Sequence, residues 1–379
     1  MIYFDNSATT MIDSTVLETY NKVNQLYYGN PSSLHAIGET ASGLLKQSRS
    51  LTADLLGVLP EEIFFTSGGT EGDNWTIKGT VIEKMSSGKH LITTQSEHPA
   101  VLETFKQLEL LGWDVTYLPV NQYGVISLED LRTALKNDTV LVSVMAVNNE
   151  TGSIQPIEEI GRLLEAYPTV HFHVDAVQAI GKTDIKLGKT SRIDMAVFSG
   201  HKFHGPKGTG FVYIKNGRRV SPLLSGGGQE SNARSGTENI PGIVSMAKAL
   251  KILLESKEEK QLVMNQMMDM LKKDLSTRSK VTIFSPEIHA PHILCFGIKG
   301  IRGEVIVHAL EKREIYVSTT SACSSKKQSE SSSLIAMGIP KKQAETAIRV
   351  SLSEWNTEDE MTQFIDHFDE IYKGFNGIF

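Results

Sequence analysis

The sequence predicts an α/β protein built on a largely parallel sheet, joined to a smaller α+β region. Two observations carry this expectation. Apolar strand-like runs alternate with helical segments between about residues 63 and 214, and polar residues gather just past several strand ends. Size is the third observation, because 379 residues exceed what one ordinary core accommodates.

Taken in order, Tyr3-Phe4-Asp5-Asn6-Ser7-Ala8-Thr9-Thr10 is a short β-type segment running into small polar residues. Tyr28-Gly29-Asn30-Pro31-Ser32-Ser33-Leu34-His35 reads as a turn-rich loop ahead of a helix over 38–56. Residues 63–66 read as a strand leading into Ser67-Gly68-Gly69-Thr70-Glu71-Gly72-Asp73-Asn74 and a helix to about Met85. Strand, glycine turn and helix start make an anion site possible, since the first helical N–H groups are unpaired; an ordinary glycine turn is the alternative. Further strands are expected at 90–94, 114–118, 140–147, 171–174, 195–198 and 210–214, with helices at 100–111, 128–135 and 157–166. The glycine-rich stretch 226–239 is too long for a mere connection and offers Arg234 and Thr237 to an anion. A helical run over 241–273 then leads to strands at 280–284, 293–298, 315–318 and 347–351 and helices at 305–310 and 357–373, the α+β region. No internal repeat, low-complexity block or long linker interrupts this order.

Bulk composition narrows the function classes. A net charge of -6 and a pI near 6.0 give no general attraction to nucleic acid or anionic membrane. No run approaches the roughly 18 uncharged apolar residues of a membrane span, and Met1 to Asn6 lack a basic or apolar leader, so a cytoplasmic location is expected. With only Cys295 and Cys323, neither a disulfide framework nor a CxxC zinc cluster is supported, and no metal site is expected. Cys295 sits in an apolar run where a small buried hydrophobe fits. Cys323 lies in polar Ser321-Ala322-Cys323-Ser324-Ser325-Lys326-Lys327, a loop thiol beside two cations.

Four strand ends carry the chemistry: Glu97-His98, Asn148-Asn149-Glu150, Asp175 with Gln178, and Ser199-Gly200-His201-Lys202. In open α/β sheets, ligands bind outside such ends. Lys202, held between glycine-permitted turns, suits a Schiff-base amine, because burial lowers a lysine pKa and frees its lone pair. A polar turn with a solvated lysine is the alternative, and His98 before Pro99 could equally be a helix N-cap or a core imidazole.

Placed side by side, these segments resemble the cysteine desulfurases, pyridoxal 5'-phosphate (PLP) enzymes of fold type I, nearly end to end. The resemblance rests on Asp5 to Thr10, Tyr28 to His35, Thr66 to Asn74, Glu97-His98-Pro99, Val147 to Gly152, His173-Val174-Asp175-Ala176-Val177-Gln178, Ser199 to Lys202, Gly226 to Thr237, Ser321-Ala322-Cys323 and Arg349-Val350-Ser351-Leu352. It implies a seven-stranded, mainly parallel sheet in a large domain over 15–257, with 1–14 and 258–379 forming the small one. Lys202 would hold PLP covalently and then move protons. Asp175 would pair with the pyridinium nitrogen, Gln178 would reach the ring hydroxyl, and His98 would stack on the ring. Gly69, Thr70, Ser199 and His201 would hold the phosphate. Thr237 would reach the phosphate of the other subunit, so a homodimer is implied. Asn149 and Arg349 would bind the carboxylate of L-cysteine, with Asn30 assisting and Asn149 also near the cofactor. Cys323 would be the nucleophile that takes the sulfur as a persulfide.

The sequence departs from the family pattern at Ser7, where Ala is usual, and at Gly200, where Ser-Ala-His-Lys is commoner. The polar run from Ser324 to Ser333 is similar to the long-loop group, which delivers sulfur to several acceptors. The tail ending at Phe379 lacks the extension that scaffold-docking members carry, so tRNA thiolation through a sulfurtransferase is expected ahead of iron–sulfur assembly. Selenocysteine lysis and a non-catalytic PLP-binding regulator are the other readings. A pure binder needs neither the loop thiol nor the arginine.

Overall fold

The computed structural model describes residues 1–255, 257–320 and 332–376. In chain order the elements are β1 (Ile2–Tyr3), α1 (Ser14–Leu26), α2 (Ala36–Leu56), β2 (Ile63–Thr66), α3 (Gly69–Lys84), β3 (His90–Thr94), α4 (Pro99–Leu110) and β4 (Asp114–Leu118). There follow α5 (Leu128–Ala134), β5 (Thr139–Ser143), α6 (Ile157–Leu164), β6 (His171–Asp175), β7 (Met195–Ser199), β8 (Gly210–Ile214), α7 (Ile240–Glu255) and α8 (Lys257–Ser276). The remainder comprises β9 (Val281–Ile283), β10 (Ile293–Ile298), α9 (Gly303–Glu311), β11 (Ile315–Tyr316), β12 (Ser318–Thr319), α10 (Ser332–Ala336), α11 (Lys341–Ala344), β13 (Ala347–Ser351) and α12 (Glu358–Asn376).

Seven strands form the main sheet in the order β2-β8-β7-β6-β5-β3-β4, as the α/β expectation requires. The block from β7 through β4 is parallel, and β8 runs antiparallel to both of its neighbours. Alternate residues feed opposite faces: Ala196 and Phe198 join the core that holds Phe172 and Val174, while Met195 and Val197 join the one that holds Trp75 and Phe105. A second sheet, β12-β13-β10-β9, is antiparallel and packs its own core around Phe296, Val350, Phe364 and Phe368. The chain start belongs with this second core, since β1 pairs with β11 and Phe4 meets Phe364 at a centroid distance of 5.6 Å.

Helix α1 has no counterpart in the sequence expectations. Its buried residues are only Val16 and Val23, too sparse for a clear apolar stripe, and its start is set by Asp13, whose carboxylate accepts from the Thr15 and Val16 amides at 2.8 and 3.1 Å. The strand expected at 140–147 ends at Ser143, although Val144 and Ala146 still donate to the His173 and Asp175 carbonyls. The helical run expected over 241–273 is two helices, α7 and α8. Among the described residues, no helix is long and apolar enough to cross a membrane.

A buried ionic clasp ties the two cores together. Glu354, just past β13, accepts from Lys182 at 2.6 Å and lies 3.4 Å from His204 Nε2, and the His204 ring packs tilted against Trp355 with centroids 3.7 Å apart. Burial alone would raise the Glu354 carboxyl, but Lys182 and His204 outweigh it and hold it well below the usual carboxylate range. Such a depressed pKa contributes stability above the unfolded carboxylate range, and that contribution is lost as pH falls through the folded value. Glu354→Gln leaves Lys182 buried beside a neutral partner, so a loss of about 3 kcal/mol is expected in denaturant unfolding at neutral pH. The penalty should shrink in acid.

Candidate active site

The parallel strands β3, β5, β6 and β7 all end on one side of the sheet, and beyond them lies a cavity of about 240 Å³. Gly69, Thr70, His98, Asn149, Asp175, Gln178, Ser199, His201, Lys202 and Arg349, all expected from sequence, line it together. A larger groove of about 560 Å³ beside α6 holds none of them.

Topology assembles the phosphate side. Strand β8 lies between β2 and β7, and Gly210 at its start is paired with both Thr66 and Ser199. A side chain on Gly210 would press within 2.7 Å of the Gly68 backbone, so glycine there lets the turn entering α3 settle against the end of β7. Gly68, with a φ of 150°, caps α3 without any side-chain hydrogen bond, and a Cβ there would lie 3.6 Å from Ser199 Oγ. The first turn of a 16-residue helix thus borders the cavity at Gly69 and Thr70, where its amides and dipole favour an anion. His201, on the same wall, has its pKa lowered to about 4 by burial and by Lys202 and Lys207, so it meets that anion as a neutral imidazole.

Lys202 follows β7 in a tight turn and donates to the carbonyls of Ser7 and Ala8, the latter at 2.8 Å. Asp175 closes β6, fully buried, accepting from the Val177 amide at 3.0 Å. Desolvation raises its pKa against the pull of His98 and Lys202, so a cationic ring nitrogen would be a favourable partner for its carboxylate. Of the roles open to it in the sequence, His98 takes the N-cap: Nδ1 accepts from the Ala100 amide at 3.1 Å at the start of α4, and the half-buried residue also lines the cavity. Burial lowers its pKa, which suits a neutral ring face. Gln178 donates to Ser7 O at 3.0 Å and meets His292 at 3.3 Å, so its amide nitrogen is engaged by the backbone. An amide-lined anion corner, a buried carboxylate and a lysine on one cavity fit the parts of PLP.

Arg349, on β13, brings the second sheet into the cavity. Its Nη1 donates to Asn149 O and its Nη2 to Asp5 Oδ1, each at 2.8 Å. Two expected site residues stand elsewhere. Asn30 is exposed and its side chain accepts from the Ser32 amide in its own turn, outside the cavity. Thr237 is also exposed and outside it. Cys323 lies outside the described residues. Arg234, expected to be available to an anion, is instead paired with Glu71 of α3 through two hydrogen bonds, at 2.7 and 3.0 Å.

Sequence reading passed over Ser7 and Ala8, whose carbonyls hold Lys202, and Asp73, a buried carboxyl on the same wall. Their signal was present in the runs Asp5 to Thr10 and Thr66 to Asn74, but backbone acceptors leave no mark of residue type. Asp73 stands 3.3 Å from His173 Nε2, and burial with Asp175 and Glu97 nearby raises its pKa well above the ordinary range. Glu97, pushed up to about 8 chiefly by burial, accepts from Thr94 and Met145. Asn148 accepts from the amides of Glu150 and Thr151, so both of these strand-end polar groups shape turns. Among the described residues, no cluster of three or more His, Cys, Asp or Glu could hold a metal ion.

Residues 2–364 match the model of the aminotransferase class-V family. The chain is 53% identical to a "NifS/IcsS protein homolog" of Lactobacillus delbrueckii subsp. bulgaricus, over all of this chain and 99% of that protein. It is 41% identical to "Cysteine desulfurase IscS" of Methanosarcina thermophila, over 98% of this chain and 91% of that one. A solved structure described as a NifS-like protein superposes with a TM-score of 0.92 at 42% identity, covering 98% of this chain and 99% of the other.

Proposed function

We propose that this chain, which belongs to the aminotransferase class-V family, is a PLP-dependent cysteine desulfurase converting L-cysteine to L-alanine and taking the sulfur onto Cys323. The observation that carries this reading is the meeting of Lys202, Asp175, Thr70 and Arg349 on one cavity, in a chain whose relatives include a protein named cysteine desulfurase.

PLP, when bound, supplies the electron sink that makes the substrate's carbon skeleton reactive. Every other part of the work belongs to the residues of this chain. Gly69, Thr70, Ser199 and His201 hold the phosphate end. Asp175 would keep a proton on the ring nitrogen, and His98 would cover the ring face. Gln178 would reach the ring hydroxyl. Lys202 would anchor the cofactor, and its amine would move protons on the substrate. Arg349, with Asn149, orients the L-cysteine carboxylate. The Cys323 thiolate then attacks the substrate sulfur: an S–S bond forms, the C–S bond breaks, and the electron pair left on carbon is protonated to give L-alanine.

Thr237 completes the phosphate site of a second copy, making the working unit a homodimer. Residues 15–257 form the cofactor domain, while 1–14 and 258–379 form the small domain carrying Arg349 and Cys323. The setting is cytoplasmic. The polar run from Ser324 to Ser333 supports delivery of the persulfide sulfur to a protein acceptor, and a tRNA sulfurtransferase is assigned first.

Incubating the purified holoenzyme with ³⁵S-labelled L-cysteine tests the reading. Label on the protein that dithiothreitol releases, with L-alanine formed in step, is the expected result; L-alanine without protein-bound label would reject the persulfide route. Adding a tRNA sulfurtransferase or an iron–sulfur scaffold protein to the labelled enzyme decides the acceptor. Transfer to the scaffold alone would overturn the assignment made here.

A further inference from the structure

We propose that Asp5 is a built-in competitor for the substrate carboxylate, holding the guanidinium of Arg349 until an amino acid displaces it. This inference rests on the desulfurase reading above. Arg349 is buried, with a side chain only 4% exposed, and its guanidinium carries five N–H donors. One goes to Asn149 O and one to Asp5 Oδ1, while Nε, equally buried, finds no hydrogen-bond partner among the described residues. A buried donor without a partner is costly, and here it belongs to a residue lining the cavity. The edge of a guanidinium that grips a carboxylate with two parallel bonds consists of Nε and a neighbouring Nη. In this chain Nε is open and Nη2 is engaged by Asp5.

Asp5 is held in that position. Its backbone bridges to Ser351, two residues beyond Arg349 on β13, and its other oxygen accepts from Ser318 at 3.2 Å. Ser318 lies directly opposite Arg349 in the β12–β13 register. An incoming carboxylate therefore meets a guanidinium whose charge is already balanced by a fixed anion, and must share or exchange Nη2 to use the full fork. The consequence concerns product release. L-alanine carries the same amine and carboxylate as L-cysteine, so tight carboxylate binding would hold product as firmly as substrate. An internal carboxylate lowers both affinities together.

The test uses holoenzyme and titrates L-alanine and cysteamine, following the absorbance of the bound cofactor. Asp5→Asn keeps the size of the side chain and removes its charge, and Asp5→Ala removes the acceptor. Affinity for L-alanine should rise about tenfold in the Asn variant, the scale of one charge-assisted hydrogen bond no longer exchanged, and at least as much in the Ala variant. Cysteamine, which has the amine and thiol but no carboxylate, should bind as it does to the parent. Unchanged or weaker L-alanine binding by Asp5→Asn would overturn the proposal, as would equal tightening of cysteamine. A parent enzyme blind to both L-cysteine and L-alanine would overturn the desulfurase reading and this inference with it; a responsive parent with an unresponsive variant overturns the role of Asp5 alone.

Discussion

Cys323→Ser is expected to lower L-alanine production from L-cysteine by about a thousandfold or more while leaving the absorbance of the bound cofactor unchanged. A serine hydroxyl has neither the thiolate's nucleophilicity nor its affinity for sulfur. The question is whether the other cysteine can replace it. Cys295 is fully buried in the middle of β10, paired across to Arg349 on β13 and to the β9 edge through its neighbours. Burial, with Glu150 adding to it, pushes its thiol far above the ordinary range, so no useful thiolate exists there at neutral pH. A fully buried strand residue also cannot present sulfur to a second protein. The described residues that line the cofactor pocket, Gly69, Thr70, Asp175 and Lys202 among them, are unchanged in the variant, which is why its absorbance should be untouched. Undiminished turnover in the variant, measured as L-alanine per holoenzyme, would reject the persulfide mechanism.

What could be read from the sequence, and what could not, follows from where the information lies. Strands 90–94, 114–118 and 210–214 are read at the bounds the fold adopts, and 210–214 shows the plainest reason: a strand buried on both faces is a continuous apolar word. The same logic overran at 144–147, where apolar residues stay buried after the regular ladder ends. Lys202, Asp175 and Thr70 were legible because each is a chemically specific residue just past a strand end. The carbonyls of Ser7 and Ala8 that hold Lys202 were not, since any residue supplies a carbonyl and only the fold decides which one faces the ammonium. Arg234 misled for the opposite reason: an arginine in a glycine-rich loop looks available until Glu71, 163 positions away, is seen to claim it. The Asp5–Arg349 pair spans 344 positions and joins a residue where a short β-type segment runs into small polar residues to one that reads as a strand. Long-range pairing of this kind leaves no local pattern.

Lys202→Ala should cost two to four orders of magnitude in turnover, roughly the share a positioned acid–base group supplies, and should also abolish covalent attachment of the cofactor. The two effects have one origin. Gly200 and its neighbours force the lysine into place: a Cβ on Gly200 would come within 2.5 Å of Thr209 Oγ1, so the turn packs tightly there and directs Lys202 to the Ser7 and Ala8 carbonyls. An amine that donates to two carbonyls here is freed for proton work once it leaves them. The anion corner at Gly69 and Thr70 and the carboxylate of Asp175 do not depend on it. The alanine variant should therefore still bind PLP, but reversibly. Borohydride reduction followed by mass spectrometry of the intact chain reads the difference: one cofactor mass added to the parent, none to the variant. Lys202→Arg keeps the charge and the hydrogen bonds yet cannot form the linkage, so it should lose the adduct as completely as alanine does. Lysines nearby cannot substitute, since Lys207 is exposed outside the cavity and Lys182 is bound to Glu354. A reduced adduct that survives in Lys202→Ala would move the anchor to another residue and break the assignment of this strand end.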